Sequence, residues 1–423
     1  MISTSYEILS LREQAGVVNG WLEHRMREVL PHIMEREGFD MWIVAGEEYN
    51  EGPVLMTLLP AEMISARRKT ILVFHRTADN EMEHMLVGRH GILEQYGRGT
   101  FYTEEWNRDA EEQWECVARL IRERDPARIG INVSETFAFG DGLTHSEYES
   151  LVDVLDKKYV SRLEGAERLA VGWLEKRTGP ELDAYWRVVE MAHAIIGDAF
   201  STKVIHPGVT TTDDVVWWMR QKVQDMGFRS WFQPSISIQA PDVPFRSKDA
   251  RKLIKPGDLL HCDFGIQYLG LCTDTQQFAY VLRPGETGAP VGLRDALATG
   301  NRLQDIHAGE MIAGRTGNEI LASALQRARD EGIDGMIYTH PIGYHGHGAG
   351  PTIGLTDKQE GVPGKGDYEL FDDTCYAMEL NIKQQIPEWD GCTVRIGLEQ
   401  DVAFTGGKVL YVGGRQTEFH LVG

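Results

Sequence analysis

Two aspartates stand eleven residues apart within otherwise apolar segments of this chain. Asp263 and Asp274 belong to the stretch GDLLHCDFGIQYLGLCTDTQQFA, which reads as two strands. A carboxylate in a buried strand is costly unless it is paired or binds a metal. A turn at Gly265 would bring both carboxylates to one place. The competing interpretation of the pair alone is one solvent-facing aspartate and one turn aspartate.

Three further sites add imidazole and carboxylate groups. The segment YTHPIGYHGHGAGP carries His340, His345 and His347 among glycines, which let backbone and ligand approach closely. Glu379 stands in the apolar segment CYAMELNIK, and Glu399 stands in TVRIGLEQDVAF. Taken singly, a histidine here could be a turn residue, and each glutamate could be a solvent-facing strand residue.

Taken together, these residues form a set that is rich in carboxylate oxygen and includes imidazole. Such a set suits two hard or borderline divalent ions bridged by carboxylates, with Mn as the first expectation and Co, Zn or Fe as alternatives. Two ions sharing a hydroxide would supply a nucleophile at neutral pH and stabilise a tetrahedral oxyanion. Structural zinc bound by cysteines is excluded, because the five cysteines form no CxxC pair.

The elements that must position these residues fall into two halves. In the first half, strand-like and helix-like segments alternate, which predicts a three-layer α/β domain. A boundary is expected between Tyr159 and Arg177, where a long helix begins with Thr178 or Gly179 near its N-cap. The second half combines helices with a largely antiparallel sheet, an α+β pattern. We therefore predict an N-terminal domain over residues 1–170 and a C-terminal domain over residues 171–423.

Composition bears on partners and compartment. The chain has 43 Lys and Arg against 64 Asp and Glu, a formal net charge of −21, so nucleic acid and anionic membranes would be repelled. No apolar run approaches the roughly 20 residues that span a bilayer, and the N-terminus is too polar for a signal peptide. Together with the unpaired cysteines, these features predict a cytoplasmic protein.

The order Asp-x(10)-Asp, GHGxG and two strand glutamates resembles that of the pita-bread metallopeptidases. This family includes methionine aminopeptidase, aminopeptidase P and prolidase, and a non-metal relative, creatinase. The resemblance covers about residues 176–423, and the first half looks like the smaller domain of the two-domain members. It implies a pita-bread fold for the C-terminal domain, a homodimer, and cleavage next to proline.

Carried over by position, the resemblance also implies a role for each residue. Asp263 would chelate one ion and Asp274 would bridge both. His347, the histidine of GHGAG, would bind the other ion with Glu379, and Glu399 would bridge. The bridging hydroxide would attack the scissile amide, and Glu379 would pass its proton to the leaving nitrogen.

Two histidines that flank the metals in these peptidases have no counterpart at the expected positions. Phe245 lies near the first of those positions, and Gly354 occupies the second. His340 and His345 are therefore the candidates for this catalytic role, unless one of them instead orients His347. His345 also stays an alternative to His347 as the metal ligand.

The leading prediction is a dinuclear metal-dependent hydrolase, an Xaa-Pro aminopeptidase or dipeptidase that acts on a small peptide. A second hypothesis is a pita-bread enzyme that acts on a non-peptide small amide or an amino-acid-like substrate. A third is a catalytically inactive protein that binds a partner through the same fold. Metal content separates the third hypothesis from the others, and turnover of Xaa-Pro dipeptides separates the first from the second.

Overall fold

The computed structural model describes residues 8–89, 101–243 and 251–423. The chain forms two compact units, one over Leu9–Leu174 and one over Glu175–Gly423, which also includes Ile8. The domain boundary predicted at residues 170 and 171 falls inside the helix Glu167–Glu175, at whose end the two units divide. Phe245 lies outside the described residues.

The first unit is built on a six-stranded mixed sheet in the order β4-β3-β2-β1-β5-β6. Its strands are Met41–Glu47 (β1), Lys69–Arg76 (β2), Met82–Val87 (β3), Thr103–Glu104 (β4), Ile129–Ile131 (β5) and Leu163–Gly165 (β6). Strand β1 is buried at every residue except its last. A strand buried on both faces needs a layer of helices on each side of its sheet, as the sequence predicted.

The described helices of this unit precede, separate or follow its strands. They are Leu11–His24 (α1), Leu30–Glu37 (α2), Pro53–Leu58 (α3), Gln113–Arg124 (α4), His145–Val154 (α5), Lys157–Val160 (α6) and Glu167–Glu175 (α7), with a π-helical turn at Arg25–Val29 and a 3₁₀ turn at Ala138–Gly140. Helix α2 ends at Gly38, whose φ of 71° is left-handed and suits glycine.

The second unit is built on an eight-stranded sheet. Its strands β12-β13-β14-β11-β8-β7 follow one another in that order, β15 pairs with β14, and β16 pairs with β11. They are Ser235–Gln239 (β7), Leu259–Phe264 (β8), Thr275–Val281 (β11), Gly335–Pro341 (β12), Thr374–Ile386 (β13), Cys392–Thr405 (β14), Lys408–Tyr411 (β15) and His420–Val422 (β16). All pairings in this sheet are antiparallel except β11 with β16. A small hairpin joins Gln267–Tyr268 (β9) to Leu271–Cys272 (β10).

Four long helices accompany this sheet. They are Gly179–Ala199 (α8), Thr212–Asp225 (α9), Val291–Glu310 (α10) and Gly317–Asp330 (α11), with 3₁₀ turns at Lys365–Asp367 and Pro387–Trp389. Helix α8 begins at the Thr178 N-cap, where the Glu181 side chain accepts the Thr178 backbone N–H at 2.7 Å. The prediction of a cap at Thr178 or Gly179 is therefore confirmed.

Helices α10 and α11 cover one face of the sheet, so the acidic residues singled out in the sequence must lie on the other face. Met378, Leu380 and Leu398 point into a buried apolar core that these helices share with the sheet. Side chains alternate along a strand, so Glu379 and Glu399 point to the opposite face.

One transverse row of that face carries most of the acidic residues singled out in the sequence. Its members are direct partners on successive strands: Ser235, Asp263, Gln276, Glu399, Glu379 and Tyr338. Direct partners on antiparallel strands project their side chains to the same face. The register of the sheet, rather than any local loop, therefore brings these groups side by side.

All five cysteines are free thiols, and Cys116, Cys262, Cys272 and Cys375 are buried. Among the described residues, no helix combines the length and the apolar character needed to cross a membrane.

Candidate metal centre

Two overlapping groups of side chains meet on the face opposite α10. The first consists of Asp263, Asp274 and Glu399, and the second consists of Asp274, His340 and His347. Within each group, one ligand atom from every residue lies within 4.8 Å of the others. Asp274 belongs to both groups, which is the position that a carboxylate shared by two ions would occupy.

Burial and mutual repulsion disfavour the charged form of all three carboxylates. Burial, and then the charge of Glu379, raise the pKa of Asp263 to about 7. Burial and the neighbouring Asp263 raise the pKa of Asp274 well above its usual value. Burial and Asp274 do the same to the pKa of Glu399. A positive charge among these groups would reverse the penalty.

Two oxygen atoms of the cluster show where such a charge would sit. Asp274 Oδ1 and Glu399 Oε1 are both buried and lack a hydrogen-bond partner among the described residues. Buried polar atoms in native proteins are rarely left unpaired, and a site for a bound ion is one explanation. The donor set of carboxylate oxygen and imidazole nitrogen fits divalent ions such as Mn or Zn.

His340 points its free imidazole nitrogen at the carboxylates. It lies on β12, and its Nδ1 is 3.0 Å from the Pro341 carbonyl oxygen, to which it donates when protonated there. In the neutral ring, Nε2 then carries the lone pair. That atom is 3.6 Å from Asp274 Oδ2 and 3.5 Å from Glu399 Oε1, about the separation of two ligands that each bind one ion at about 2.1 Å.

His347 stands at the solvent-facing edge of the cluster. It is exposed, whereas His340 is buried, and the two rings meet edge to face with centroids 4.7 Å apart. Burial and the neighbouring His340 lower the pKa of His347 to about 4. The Trp231 ring packs against it at 5.3 Å, and the Trp231 Nε1–H donates to the Thr273 carbonyl oxygen at 2.8 Å, which fixes the indole.

His345 and Glu379 belong to neither group. Burial and the charge of Arg177 lower the pKa of His345 to about 4. Glu379 lies directly opposite Glu399 on β13, and its charge raises the pKa of both Asp263 and Glu399. The structure therefore joins Asp263, Asp274, Glu399, His340 and His347, with Glu379 beside them and His345 apart.

Gly354 occupies a position that leaves no room for a side chain. Its φ is +75°, and a Cβ atom there would meet the Ile337 carbonyl oxygen at 2.3 Å. The resemblance led us to expect the second flanking histidine at this position, and the loop that follows β12 leaves no room for a side chain there.

Three polar residues that the sequence analysis did not single out also belong to this site. The Tyr338 ring is 5.5 Å from the His340 ring, and burial and Glu379 raise its pKa to about 12. Asp401 accepts the Asp274 backbone N–H at 3.2 Å and the Tyr185 hydroxyl at 2.7 Å. Tyr338 and Asp401 stand two residues from His340 and Glu399, so alternation along each strand could have found them.

Large aromatic side chains of this unit lie both at the site and in the core. Trp231 lies against His347, and its ring centroid is 4.4 Å from that of Phe232. Trp389 instead belongs to the apolar core shared with α10 and α11.

Comparison with known families supports the metal interpretation. The chain matches the model of metallopeptidase family M24 over residues 184–405. That range lies within the second unit and contains every residue of the two groups. No curated protein sequence matches the chain significantly.

Solved structures share the fold across both units. X-Pro aminopeptidase from Thermotoga maritima MSB8 has a TM-score of 0.65 at 14% identity, covering 92% of this chain and 99% of that chain. Xaa-Pro dipeptidase from Bacillus anthracis has a TM-score of 0.57 at 17% identity, covering 97% and 100%. The predicted α/β and pita-bread architecture is confirmed.

A third structure shows that the fold alone does not identify an activity. The N-terminal domain of FACT complex subunit SPT16 from Cicer arietinum has a TM-score of 0.60 at 12% identity, covering 98% of this chain and 99% of that chain. Its likeness to this chain is similar to that of the two peptidases. The function must therefore be argued from the side chains of the site.

Proposed function

Because the chain belongs to metallopeptidase family M24, we propose that it is a metal-dependent Xaa-Pro aminopeptidase or dipeptidase that acts on small peptides. The observation that carries this proposal is the buried group of Asp263, Asp274 and Glu399, whose oxygen atoms lie within 4.8 Å of one another. Three carboxylates so placed destabilise the folded chain unless cations bind between them.

The residues that would hold the ions are Asp263, Asp274, His340, Glu379 and Glu399. Divalent ions held there, Mn²⁺ in the first place, would supply Lewis-acid activation of a water and of the scissile carbonyl. This assignment exchanges the roles first expected for two histidines. His340 becomes the imidazole ligand because its Nε2 faces two carboxylates from a buried strand position.

His347 then faces the substrate. Its exposed ring beside Trp231 lies at the entrance to the cluster, where an imidazole can hold the carbonyl oxygen of a bound peptide. The low pKa of His347 keeps the ring neutral at pH 7, so one ring nitrogen donates a hydrogen bond. It would supply the contact that the related peptidases obtain from histidines missing here.

Two further residues would transfer a proton or donate a hydrogen bond during the reaction. Glu379 is partly exposed and lies in register with Glu399, so its carboxylate can take a proton from the attacking water and pass it to the leaving nitrogen. Tyr338 lies directly opposite Glu379. Because its pKa is raised to about 12, its hydroxyl stays protonated and can donate to the oxyanion of the tetrahedral intermediate.

The proposal also covers the partners, the compartment and the oligomeric state of the protein. The net charge of −21 opposes binding to nucleic acid and to anionic membranes. We propose a homodimer, as the resemblance implies, and a cytoplasmic location, as the composition and the unpaired cysteines predict. Light scattering after gel filtration tests the dimer against the monomer mass of 47.6 kDa.

The deciding experiment combines metal analysis with an assay. The purified protein is dialysed, its Mn, Co, Zn and Fe contents are measured, and Xaa-Pro dipeptides are tested with added Mn²⁺. Two ions per chain with proline-dependent cleavage support the proposal. Bound ions without cleavage favour a small non-peptide amide or an amino-acid-like substrate. A chain that binds no ion contradicts the hydrolase and leaves a binding protein.

A further inference from the structure

Gln276 connects the proposed ligand Glu399 to a buried histidine. Its Nε2 is 2.8 Å from Glu399 Oε2, and its Oε1 is 2.9 Å from His261 Nε2. All three residues are buried. They lie on β11, β14 and β8, and Gln276 pairs directly with both Glu399 and Asp263.

When Glu399 is ionised, as a metal ligand would be, hydrogen-bond chemistry allows only one orientation of this chain of side chains. A carboxylate accepts hydrogen bonds, so the amide N–H₂ of Gln276 must face Glu399. The amide oxygen then faces His261, whose Nε2 must carry a hydrogen in order to donate. A rotated amide would set two acceptors against each other at Glu399, so His261 keeps the amide in the productive orientation.

As a consequence, the two carboxylate oxygens of Glu399 differ in their hydrogen bonding. Its Oε2 is anchored by Gln276, whereas its Oε1 has no hydrogen-bond partner within the described part of the chain and lies 3.5 Å from His340 Nε2. One oxygen is held in place, and the other is presented to the cluster. Hydrogen bonds to the ligands of a metal commonly orient them in this manner.

The neighbouring residue on β14 leaves room for this arrangement. A Cβ atom at Gly397 would stand 3.2 Å from Gln276 Oε1, which is a tight contact, and 3.5 Å from His261 Nε2, which is an ordinary one. A larger side chain at this position would point at the hydrogen bond between Gln276 and His261.

We propose that Gln276 is a positioning residue that fixes the carboxylate of Glu399 for metal binding, and that His261 acts through Gln276. This inference rests on the proposed function, since it assumes that Glu399 is a ligand. It adds a determinant of metal affinity that touches neither the ion nor the substrate.

The chain supplies a matched control in the next residue. Gln277 is buried to a similar extent, and its Oε1 lies 2.7 Å from His420 Nε2. It therefore repeats the glutamine–histidine contact of Gln276. Because neighbouring strand residues point to opposite faces, Gln277 has no route to the cluster.

The test compares Gln276→Met with Gln277→Met, since methionine keeps the length of glutamine and removes its hydrogen bonds. Dissociation constants for Mn²⁺ and Co²⁺ are measured by competition with a chelator, and the unfolding of each metal-free variant is followed by circular dichroism. We expect Gln276→Met to bind both ions about 10- to 100-fold more weakly. Gln277→Met should match the wild type in affinity, and the absorption spectrum of bound Co²⁺ should change only in Gln276→Met.

A second variant tests the part of His261. His261→Leu should weaken metal binding in the wild-type background and have little further effect in Gln276→Met, because His261 acts through that amide. Additive losses would overturn this order of action. The His261 variant also keeps the proposal testable if Gln276→Met does not fold.

The outcomes separate this inference from the proposed function. If the wild type binds no ion, the proposed function fails and the inference fails with it. If the wild type binds ions and Gln276→Met binds them equally well, the inference alone is wrong. Equal weakening in Gln276→Met and Gln277→Met would assign the effect to general destabilisation and would also contradict it.

Discussion

At the scale of single residues, Asp274 is the most costly side chain of the site. It is buried, its Oδ1 has no hydrogen-bond partner among the described residues, and it faces the charges of Asp263 and Asp401. Such an arrangement lowers the stability of the metal-free protein and becomes favourable when cations bind. Stability and metal affinity should therefore change in opposite directions when its charge is removed.

Asp274→Asn tests this opposition with a side chain of almost the same size. We expect the variant to lose at least one ion per chain, because its carboxylate belongs to both groups. In the presence of a chelator it should melt at a higher temperature than the wild type, by about 2 to 4 °C for each kcal/mol of repulsion removed. Asp183→Asn, at an exposed position on α8, is the control. A variant that kept its full metal content would refute the role of Asp274.

Asp263 makes the metal-free protein sensitive to pH. Its pKa is raised from 3.8 to about 7 in the folded chain, mainly by burial, so between these values the folded state holds a proton that the unfolded state releases. The stability of the metal-free protein should therefore fall as the pH rises from about 4 to about 7. Bound Mn²⁺ takes the place of that proton.

The resulting prediction concerns the melting temperature measured with Mn²⁺ and with a chelator between pH 5 and pH 8. The difference between the two should widen as the pH rises toward about 7. Asp263→Asn should flatten the pH dependence of the chelated protein. A difference that stayed constant across the range would show that Asp263 does not titrate with this pKa.

Single residues also show what the sequence could not reveal. The two aspartates and the strand glutamates were predictable, because a carboxylate stands out in an apolar strand. Which histidine faces them was not, because His340 reaches the cluster through the pairing of β12 with β13. Gln276 carries no charge and therefore does not stand out in a strand as a carboxylate does, although it shares a strand face with Asp274.

At the scale of elements, sheet register makes the site. Asp263, Gln276, Glu399 and Glu379 are successive direct partners on four strands. The local patterns predicted that these strands exist and that they are buried. Register between strands far apart in sequence depends on the packing of the whole sheet, so the row could be found only in three dimensions.

The turn at Gly354 yields a prediction at this scale. Gly354→Ala should destabilise the protein by more than Gly208→Ala, because both glycines have a φ near +80° but only Gly354 would bring a Cβ atom against a carbonyl oxygen. The φ alone costs about 1 kcal/mol, and the clash should add about 1 to 3 kcal/mol. Urea unfolding measures both variants. Equal losses would mean that the loop after β12 relaxes freely.

At the scale of the whole molecule, the residues of the candidate site all belong to one of the two units. The metal cluster and the match to metallopeptidase family M24 both lie within Glu175–Gly423. Leu9–Leu174 has its own apolar core around β1 and α4. The sequence predicted a boundary between Tyr159 and Arg177, because a strand-like segment gives way there to a long helix.

Calorimetry should show the consequence of this division. We expect two unfolding transitions, of which Mn²⁺ raises only the one that belongs to Glu175–Gly423. At 100 times its dissociation constant, the ion should contribute about 2.7 kcal/mol, a shift of about 5 to 10 °C for a unit of this size. A variant such as Asp274→Asn identifies the transition. Equal shifts of both transitions would show that the units unfold together.

The rate at which a reagent labels the buried free thiols should report how often each unit opens. Burial raises the pKa of Cys116 in the first unit, and the pKa of Cys262, Cys272 and Cys375 in the second. A thiol reacts as its thiolate, so these four should resist a maleimide until their surroundings open. The partly exposed Cys392 should react first.

Cys262 lies between His261 and Asp263 on the strand that supplies a proposed ligand. Its labelling half-life, read by mass spectrometry, therefore reports how long that strand stays closed. Mn²⁺ should lengthen this time and leave the half-life of Cys116 unchanged. Cys262, which has no proposed part in the reaction, thus reports how long the strand at the proposed metal centre stays closed.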